Sequence, residues 1–321
     1  MPATMTAPVP TRAFRTEVAR TEILTPHFLR VTVTAEDLQH FGPAGGTEIA
    51  WDQRIKLFLP RPDGSYPEIG LLADPAPPVM QWYNAWRQLD ETERNPIRTY
   101  TVRSIRHSQR EVDIDFVLHT HDDGSSGPAA SWAANAQPGA ELIIIGPDRR
   151  AAESGGGIDF TPGSARNLLL AGDETAAPAI CAILESLPAD YTGHAYLEVP
   201  TLEDSLQAVE TPSEVSITWL PREGAPLGSK LQEAVRSWGA NWQRRLRAVP
   251  ERTPGDREIP ELGEEDLLWE VAQPQEFNDY AWLAGEAGVI TGLRRHLVKE
   301  LGLSRKQVSF MGYWRQGRPG A

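Results

Sequence analysis

The sequence predicts two domains, an N-terminal antiparallel β-barrel followed by an α/β domain with a parallel sheet. Three observations predict this. The chain has 321 residues, more than one core normally holds, since single cores stop growing near ~250–300 residues. Its apolar pattern changes from strict alternation in the first half to strand–helix alternation in the second. Gly155-Gly156-Gly157 and Thr161-Pro162-Gly163 punctuate the change. The expected domains are 1–155 and 156–321.

The barrel rests on four segments. Phe28-Leu29-Arg30-Val31-Thr32-Val33, Ile55-Lys56-Leu57-Phe58-Leu59 and Val112-Asp113-Ile114-Asp115-Phe116-Val117-Leu118 alternate apolar and polar side chains, as half-buried strands do. Leu142-Ile143-Ile144-Ile145 is a short apolar run stopped by Gly146-Pro147. Pro/Gly-rich turns separate these strands, and no helical repeat stands among them, so a closed antiparallel barrel follows.

In the second half Leu168–Ala171 is a buried strand, turned by Gly172-Asp173-Glu174-Thr175 into a helix. That helix carries Ile180, Ile183, Leu184 and Leu187 on one stripe, with Pro178 tolerated in its first turn. Tyr196–Val199 and Val215–Trp219 are further strands, and Leu231, Val235 and Trp238 line another helix. Trp282–Gly285 leads into a last helix with Ile290, Leu293, Leu297 and Leu301 on one face, ended by Gly302. Strands alternating with helices imply a parallel sheet. The charged stretch from Arg244 to Asp266, with three prolines, is expected to be a surface excursion.

Composition excludes several classes. Hydrophobic residues make up 40%, enough for a sizeable core. The lone Cys181, in an apolar run, excludes an internal disulfide, a Cys-ligated iron–sulfur cluster and a Cys-rich zinc site, and no metal site is expected. A net charge of −13 argues against nucleic acid as a partner. The N-terminus lacks a basic region before an apolar one, and no run reaches the roughly 18 apolar residues of a membrane span. A cytoplasmic monomer without a membrane span is the expectation.

Arg98-Thr99-Tyr100-Thr101-Val102-Arg103 is the most informative segment. On a strand, Arg98 and Tyr100 share a face. A fixed cation beside a flat aromatic suits a pyrophosphate lying next to a planar ring system, and Thr101 can hydrogen-bond the ring edge. An ordinary strand with surface arginines fits the same residues. Asp115-Phe116-Val117-Leu118-His119 comes next, followed by Gly127-Pro128-Ala129-Ala130-Ser131-Trp132. A Gly-Pro turn that opens a helix at Ala129 aims free amides at a phosphate. His119 either faces a ligand or ends a strand. Gly172-Asp173-Glu174-Thr175-Ala176 sits at a strand-to-helix turn, where open α/β sheets bind ligands. Its two acids also stabilise a helix dipole, and they would repel a pyrophosphate; the chain has no Gly-x-Gly-x-x-Gly.

Together with Ala284-Gly285-Glu286-Ala287 and Gly312-Tyr313-Trp314-Arg315, these segments resemble the siderophore-interacting proteins. These are FAD-carrying flavoreductases of the ferredoxin-reductase type. Their Arg-x-Tyr-Thr-x-Arg strand matches Arg98–Arg103 without a gap, and the four motifs stand in the family's order between Phe14 and Gly317. The resemblance implies that Arg98 holds the FAD pyrophosphate, Tyr100 packs on the isoalloxazine and Thr101 reaches its N5 edge, the last two as the catalytic residues. It places Thr99, Val102, Arg103, Asp115, Val117, His119, Gly127, Pro128, Ala129, Ala130 and Ser131 at the cofactor. Asp173, Thr175, Ala176, Tyr313 and Trp314 join them at the flavin or the pyridine nucleotide. Two departures stand out. The turn between His119 and Gly127 is longer than usual, and Ala130 replaces a serine that Ser131 then substitutes.

The implied activity is an FAD-dependent ferric-siderophore reductase serving iron acquisition. NADPH, NADH or a ferredoxin would be the donor. The alternatives are a flavin reductase with another acceptor, such as ferredoxin or a quinone, and a non-enzymatic iron-chelate binder. By the same resemblance Lys56 and one of Arg149 or Arg150 contact an anionic chelate. Asp148 interrupts the family's spacing at the two arginines.

Overall fold

The computed structural model describes residues 7–118, 126–246, 268–273 and 277–317. The chain forms two compact units that divide between Ile158 and Asp159.

The first unit is a closed six-stranded antiparallel barrel. Its strands are β1 (Thr11–Thr25), β2 (Phe28–Thr34), β3 (Arg54–Phe58), β4 (Ile97–Arg106), β5 (Glu111–Val117) and β6 (Glu141–Pro147), closed in the order β1-β2-β5-β4-β3-β6. The predicted alternation appears as burial. Val31, Val33, Ile55, Leu57, Val102, Ile114 and Phe116 fill the interior with Phe14, Leu142 and Ile144. Two helices belong to this unit. The first, α1 (Val79–Gln88), follows the turns after β3 and corrects the expectation that no helix stands among these strands. It has no leucine stripe. It is held instead by Trp82, which meets the outward-facing Phe58 edge-on at 6.2 Å. The second, α2 (Pro128–Asn135), opens at Gly127-Pro128 as predicted and packs Ala129 and Ala133 into the barrel core.

The second unit is a six-stranded sheet. Its strands are β7 (Asn167–Gly172), β8 (Thr192–Val199), β9 (Glu214–Pro221), β10 (Trp269–Glu270), β11 (Asp279–Glu286) and β12 (Val308–Trp314), in the order β10-β12-β11-β7-β8-β9. All neighbours are parallel except the β10–β12 pair. The helices are α3 (Ala177–Ser186), α4 (Ser229–Leu246) and α5 (Ala287–Arg294). Ala177 to Leu184 is buried all round, not only on the predicted stripe. The predicted last helix is also not uniform, because α5 passes into a π-helical segment, Arg295–Glu300, before Gly302 turns the chain at φ 82°. Beyond Leu246, the charged stretch up to Asp266 lies outside the described residues. Among the described residues no helix is long and apolar enough to cross a membrane, and no group of acids, histidines and cysteine is placed to hold a metal ion.

Candidate functional site

The Arg98–Arg103 segment lies on β4, opposite β3 in antiparallel register. Arg98 faces Leu57, Thr99 faces Lys56, Tyr100 faces Ile55 and Thr101 faces Arg54. Alternation therefore splits the segment. Arg98, Tyr100 and Val102 share one face, and Thr99, Thr101 and Arg103 the other.

Arg98 is half-buried. Its guanidinium donates only to the Ile97 carbonyl (2.9 Å), and no described carboxylate pairs with it. Burial draws its pKa down, yet a guanidinium stays charged. A desolvated cation without an anion is costly, which is the expected state of a residue whose anion is a ligand.

The Tyr100 ring lies 4.6 Å from Phe116, tilted by 39°, and Phe116 lies 5.9 Å from Trp132 of α2. This aromatic row ties β4 through β5 to the start of α2. Burial, only partly offset by the Arg98 charge, pushes the Tyr100 phenol upward, so it stays protonated. The start of α2 has Gly127 at the N-cap with no side-chain cap and Pro128 in the first turn. Space is open where a Gly127 Cβ would stand. The Ser131 hydroxyl turns back to the Ser126 carbonyl at 3.2 Å, inside this opening turn. Among the described residues, a helix start with a glycine N-cap and an arginine without a carboxylate partner, joined through a row of aromatic rings, form a donor set that fits a diphosphate joined to a planar ring. The residues present fit FAD.

Several sequence-expected residues occupy other positions. Val102 is sealed in the core with its amide donated to Gln53, and Val117, Ala129 and Ala130 are also buried. Thr99 accepts a 2.6 Å bond from Lys56 Nζ on the face away from Tyr100. Thr101 is buried on that same face. Asp115 is buried and grips Arg30 through both oxygens (2.7 and 2.8 Å), with Arg103 at 3.5 Å. Asp115 and Arg103 thus brace the barrel wall; Arg30, their partner, lies in the strand Phe28–Val33 and was not singled out. His119 lies outside the described residues.

The expected substrate cations separate clearly. Lys56 is exposed opposite the core face, as expected; desolvation against the strand and then the Arg54 charge lower its pKa. Arg150 grips Asp148 with Nε at 2.9 Å and a terminal nitrogen at 2.6 Å, so the expectation that either arginine is available is corrected: Arg150 is committed. Arg149 has no described carboxylate partner and lays its guanidinium along Gly46.

In the second unit the expected residues form a different assembly. Asp173 is buried at the end of β7. Its Oδ1 accepts from the Thr175 amide (2.9 Å) and hydroxyl (2.5 Å), its Oδ2 from the Glu286 amide (2.7 Å) and Trp314 Nε1 (2.9 Å). Burial, then the Glu174 charge, push its carboxyl up to about 6. Ala176 is fully buried and its amide donates to the Asp173 carbonyl, so it presents nothing to a ligand, contrary to expectation. Tyr313 stacks on Trp269 at 5.8 Å. A network missed by sequence joins Glu174 to Arg222 at 2.6 and 2.7 Å, with Glu198 3.3 Å from the same guanidinium. Arg222 follows a strand with no motif, so only the fold brings it there.

Residues 17–151 match the model of the siderophore-interacting FAD-binding domain, and residues 165–317 that of the siderophore-interacting protein. The chain is 33% identical to Rv2895c, an uncharacterized protein of Mycobacterium tuberculosis, over 96% of this chain and 92% of that one. It is 30% identical to ViuB, the ferric vibriobactin reductase of Vibrio cholerae, over 94% and 89%. The crystal structure of a siderophore utilization protein from T. fusca superposes with a TM-score of 0.65 at 28% identity, covering 98% of this chain and 96% of that one. Relatives of this identity, matched over nearly their whole length, show that the chain belongs to the siderophore-interacting protein family.

Proposed function

We propose that this protein is an FAD-dependent reductase of ferric siderophores, which releases iron by reducing it. The observation that carries this is Arg98: a half-buried guanidinium without a described carboxylate partner, on the strand face of Tyr100, whose ring meets Phe116 and through it Trp132 of α2. Membership in the family and likeness to a ferric vibriobactin reductase support the same reading.

Arg98 and the first amides of α2 hold the diphosphate, and Ser131 lies at the same turn. Tyr100 supports the flat ring, kept neutral and fixed by Phe116. Thr101, buried on the opposite strand face, is given no part at the ring. Bound FAD supplies the conversion between a two-electron hydride donor and a one-electron ferric acceptor. Ferrous iron binds hard oxygen chelators far less tightly than ferric iron, so reduction alone loosens the chelate. No acid–base residue is required. NADPH, NADH or a ferredoxin is the donor, and the cytoplasm is the assigned compartment.

Lys56 and Arg149 are the cations assigned to an anionic chelate. Both are without a described carboxylate partner, while Arg150 is not. With a net charge of −13 the long-range field opposes an anion, so such binding rests on near contacts.

The test is direct. Purified protein should carry FAD, and the protein reduced with dithionite should return to the oxidised spectrum on adding a ferric siderophore while a ferrous-specific chelator gains colour. A protein that retains no FAD, or whose reduced flavin is unaffected by any ferric chelate, overturns the proposal.

A further inference from the structure

We infer that the carboxyl edge of the parallel sheet is closed to a dinucleotide by the protein's own carboxylates, so that a reduced pyridine nucleotide serves this enzyme through its nicotinamide end alone. This rests on the flavin reading above and specifies how the donor engages.

The strand order runs β11-β7-β8-β9 on one side and β11-β12 on the other, so the chain reverses its direction of winding between β7 and β11. In open α/β sheets a ligand sits in the crevice at that reversal, with its pyrophosphate on a helix start. Here the crevice holds Asp173. Its carboxylate spans from the Thr175 turn after β7 to the Glu286 amide at the end of β11, and to the indole of Trp314 at the end of β12. Gly285 permits this. It adopts φ 145°, and a Cβ there would stand 2.6 Å from Asp173 Oδ2. A glycine thus lets an acid close the crevice, where a dinucleotide site uses glycine to let a phosphate approach.

The starts of α4 and α5 are filled by carboxylates in the same way, while the turn into α3 is closed by a backbone carbonyl. At α4, Glu198 accepts from the Gly228 amide at 2.7 Å and the Leu231 amide at 2.8 Å. At α5, Glu286 accepts from the Val289 amide at 2.9 Å. At α3, the Ala176 and Ala177 amides donate to the Asp173 carbonyl at 3.0 and 3.1 Å. The one arginine within this set, Arg222, is held by Glu174 and Glu198. A pyrophosphate brought to this edge finds these amides and Arg222 already engaged, and buried carboxylates of its own sign. Hydride transfer needs only the nicotinamide ring, which gives up one hydride to oxidised flavin and leaves as the pyridinium. Among the described residues the adenosine diphosphate half then has no seat at this edge.

Calorimetry of the full FAD-loaded protein with ADP-ribose and with 2′,5′-ADP tests this without turnover. The expected result is no saturable binding in the millimolar range; a dissociation constant below about 0.1 mM, near −5.5 kcal/mol, overturns it. A second arm compares flavin reduction by reduced nicotinamide mononucleotide, NADH and NADPH. Second-order rate constants within about tenfold, equivalent to ~1.4 kcal/mol, are expected, because a half that is not bound contributes nothing to the transition state. A larger advantage for either dinucleotide overturns the inference. If none of the three reduces the flavin, the calorimetric result decides. Failure of the functional proposal itself looks different: the protein would lack FAD, or dithionite-reduced protein would not reduce a ferric chelate.

Discussion

The start of α2 in the barrel unit and the starts of α4 and α5 in the α/β unit obey the same physics and end in opposite states. Each presents backbone amides and the positive end of a helix. At α2 the N-cap is Gly127, which has no side chain to offer those amides, and Arg98 stands without a described carboxylate partner. At α4 and α5 a glutamate fills them. A helix start is an anion site only where the protein has not supplied the anion. That difference, more than fold, separates the region assigned to the cofactor from the region that is sealed.

The largest expected effect breaks the sealed side. Arg222→Ala leaves Glu174 and Glu198 buried without their cation, and removing one partner of a buried pair typically costs about 3–5 kcal/mol. Urea unfolding should show a loss of that size, with partial recovery when Glu174→Gln is added. A loss under about 1 kcal/mol would show that the network is solvated.

Next in size is the open side. Arg98→Ala removes a charge-assisted contact and should weaken FAD by about 1.5–3 kcal/mol, read as flavin released on dilution, with the unfolding midpoint of the apoprotein nearly unchanged. Equal FAD retention in mutant and parent would remove the assignment.

The two regions should also respond to pH with opposite sign. Burial raises the Asp113 carboxyl, but Arg106 with Thr32 and Ser104 outweighs that and brings it to about 2, below the ordinary 3.8. Its folded form releases the proton more readily, so its contribution of roughly 2 kcal/mol is present above pH ~4 and is lost toward pH 2. Asp173 is raised to about 6, so its folded form holds the proton longer and its contribution falls as pH rises from about 4 through 6. Stability curves of Asp113→Asn and Asp173→Asn against pH should lose slopes of opposite direction. Two slopes of one sign would contradict the assignment.

The smallest effects concern the chelate. Arg149→Ala with Lys56→Ala should raise KM for an anionic ferric chelate several-fold at low salt, since cations near the surface contribute about 0.2–1 kcal/mol each. Arg150→Ala, which removes a partner of Asp148, should leave KM alone. An Arg150 effect on KM equal to that of Arg149 would erase the distinction between them.

How much of this was legible depended on whether a pattern was local. Phe28–Val33 and Val112–Leu118 announced their strands by alternation, and Gly127-Pro128 announced the start of α2. The first strand, Thr11–Thr25, escaped notice because register shifts near Val18 and Ile23 interrupt its alternation and its outer face is polar. The α1 helix escaped because it is anchored by aromatic contacts rather than by a leucine stripe. At the site, Arg98 and Tyr100 were visible as one strand face, but the link through Phe116 to Trp132 exists only in the closed barrel. The acids at 173 and 174 showed that no dinucleotide fingerprint was present. That Asp173 spans to Glu286 and Trp314 required the parallel pairing of β7, β11 and β12. Arg150 next to Asp148 was equally undecided: a separation of two residues permits a clamp without requiring it.

The central claim is that flavin held by the barrel unit delivers electrons to a ferric chelate. Anaerobic stopped-flow mixing of dithionite-reduced, FAD-loaded protein with a ferric siderophore tests it most directly, followed at the flavin absorbance and at a ferrous-specific dye. The account predicts that the flavin reoxidises while ferrous iron appears in a ratio of two irons per flavin, one electron each. Reoxidation without ferrous iron, or a flavin that stays reduced with every ferric chelate while another acceptor oxidises it, would contradict the account.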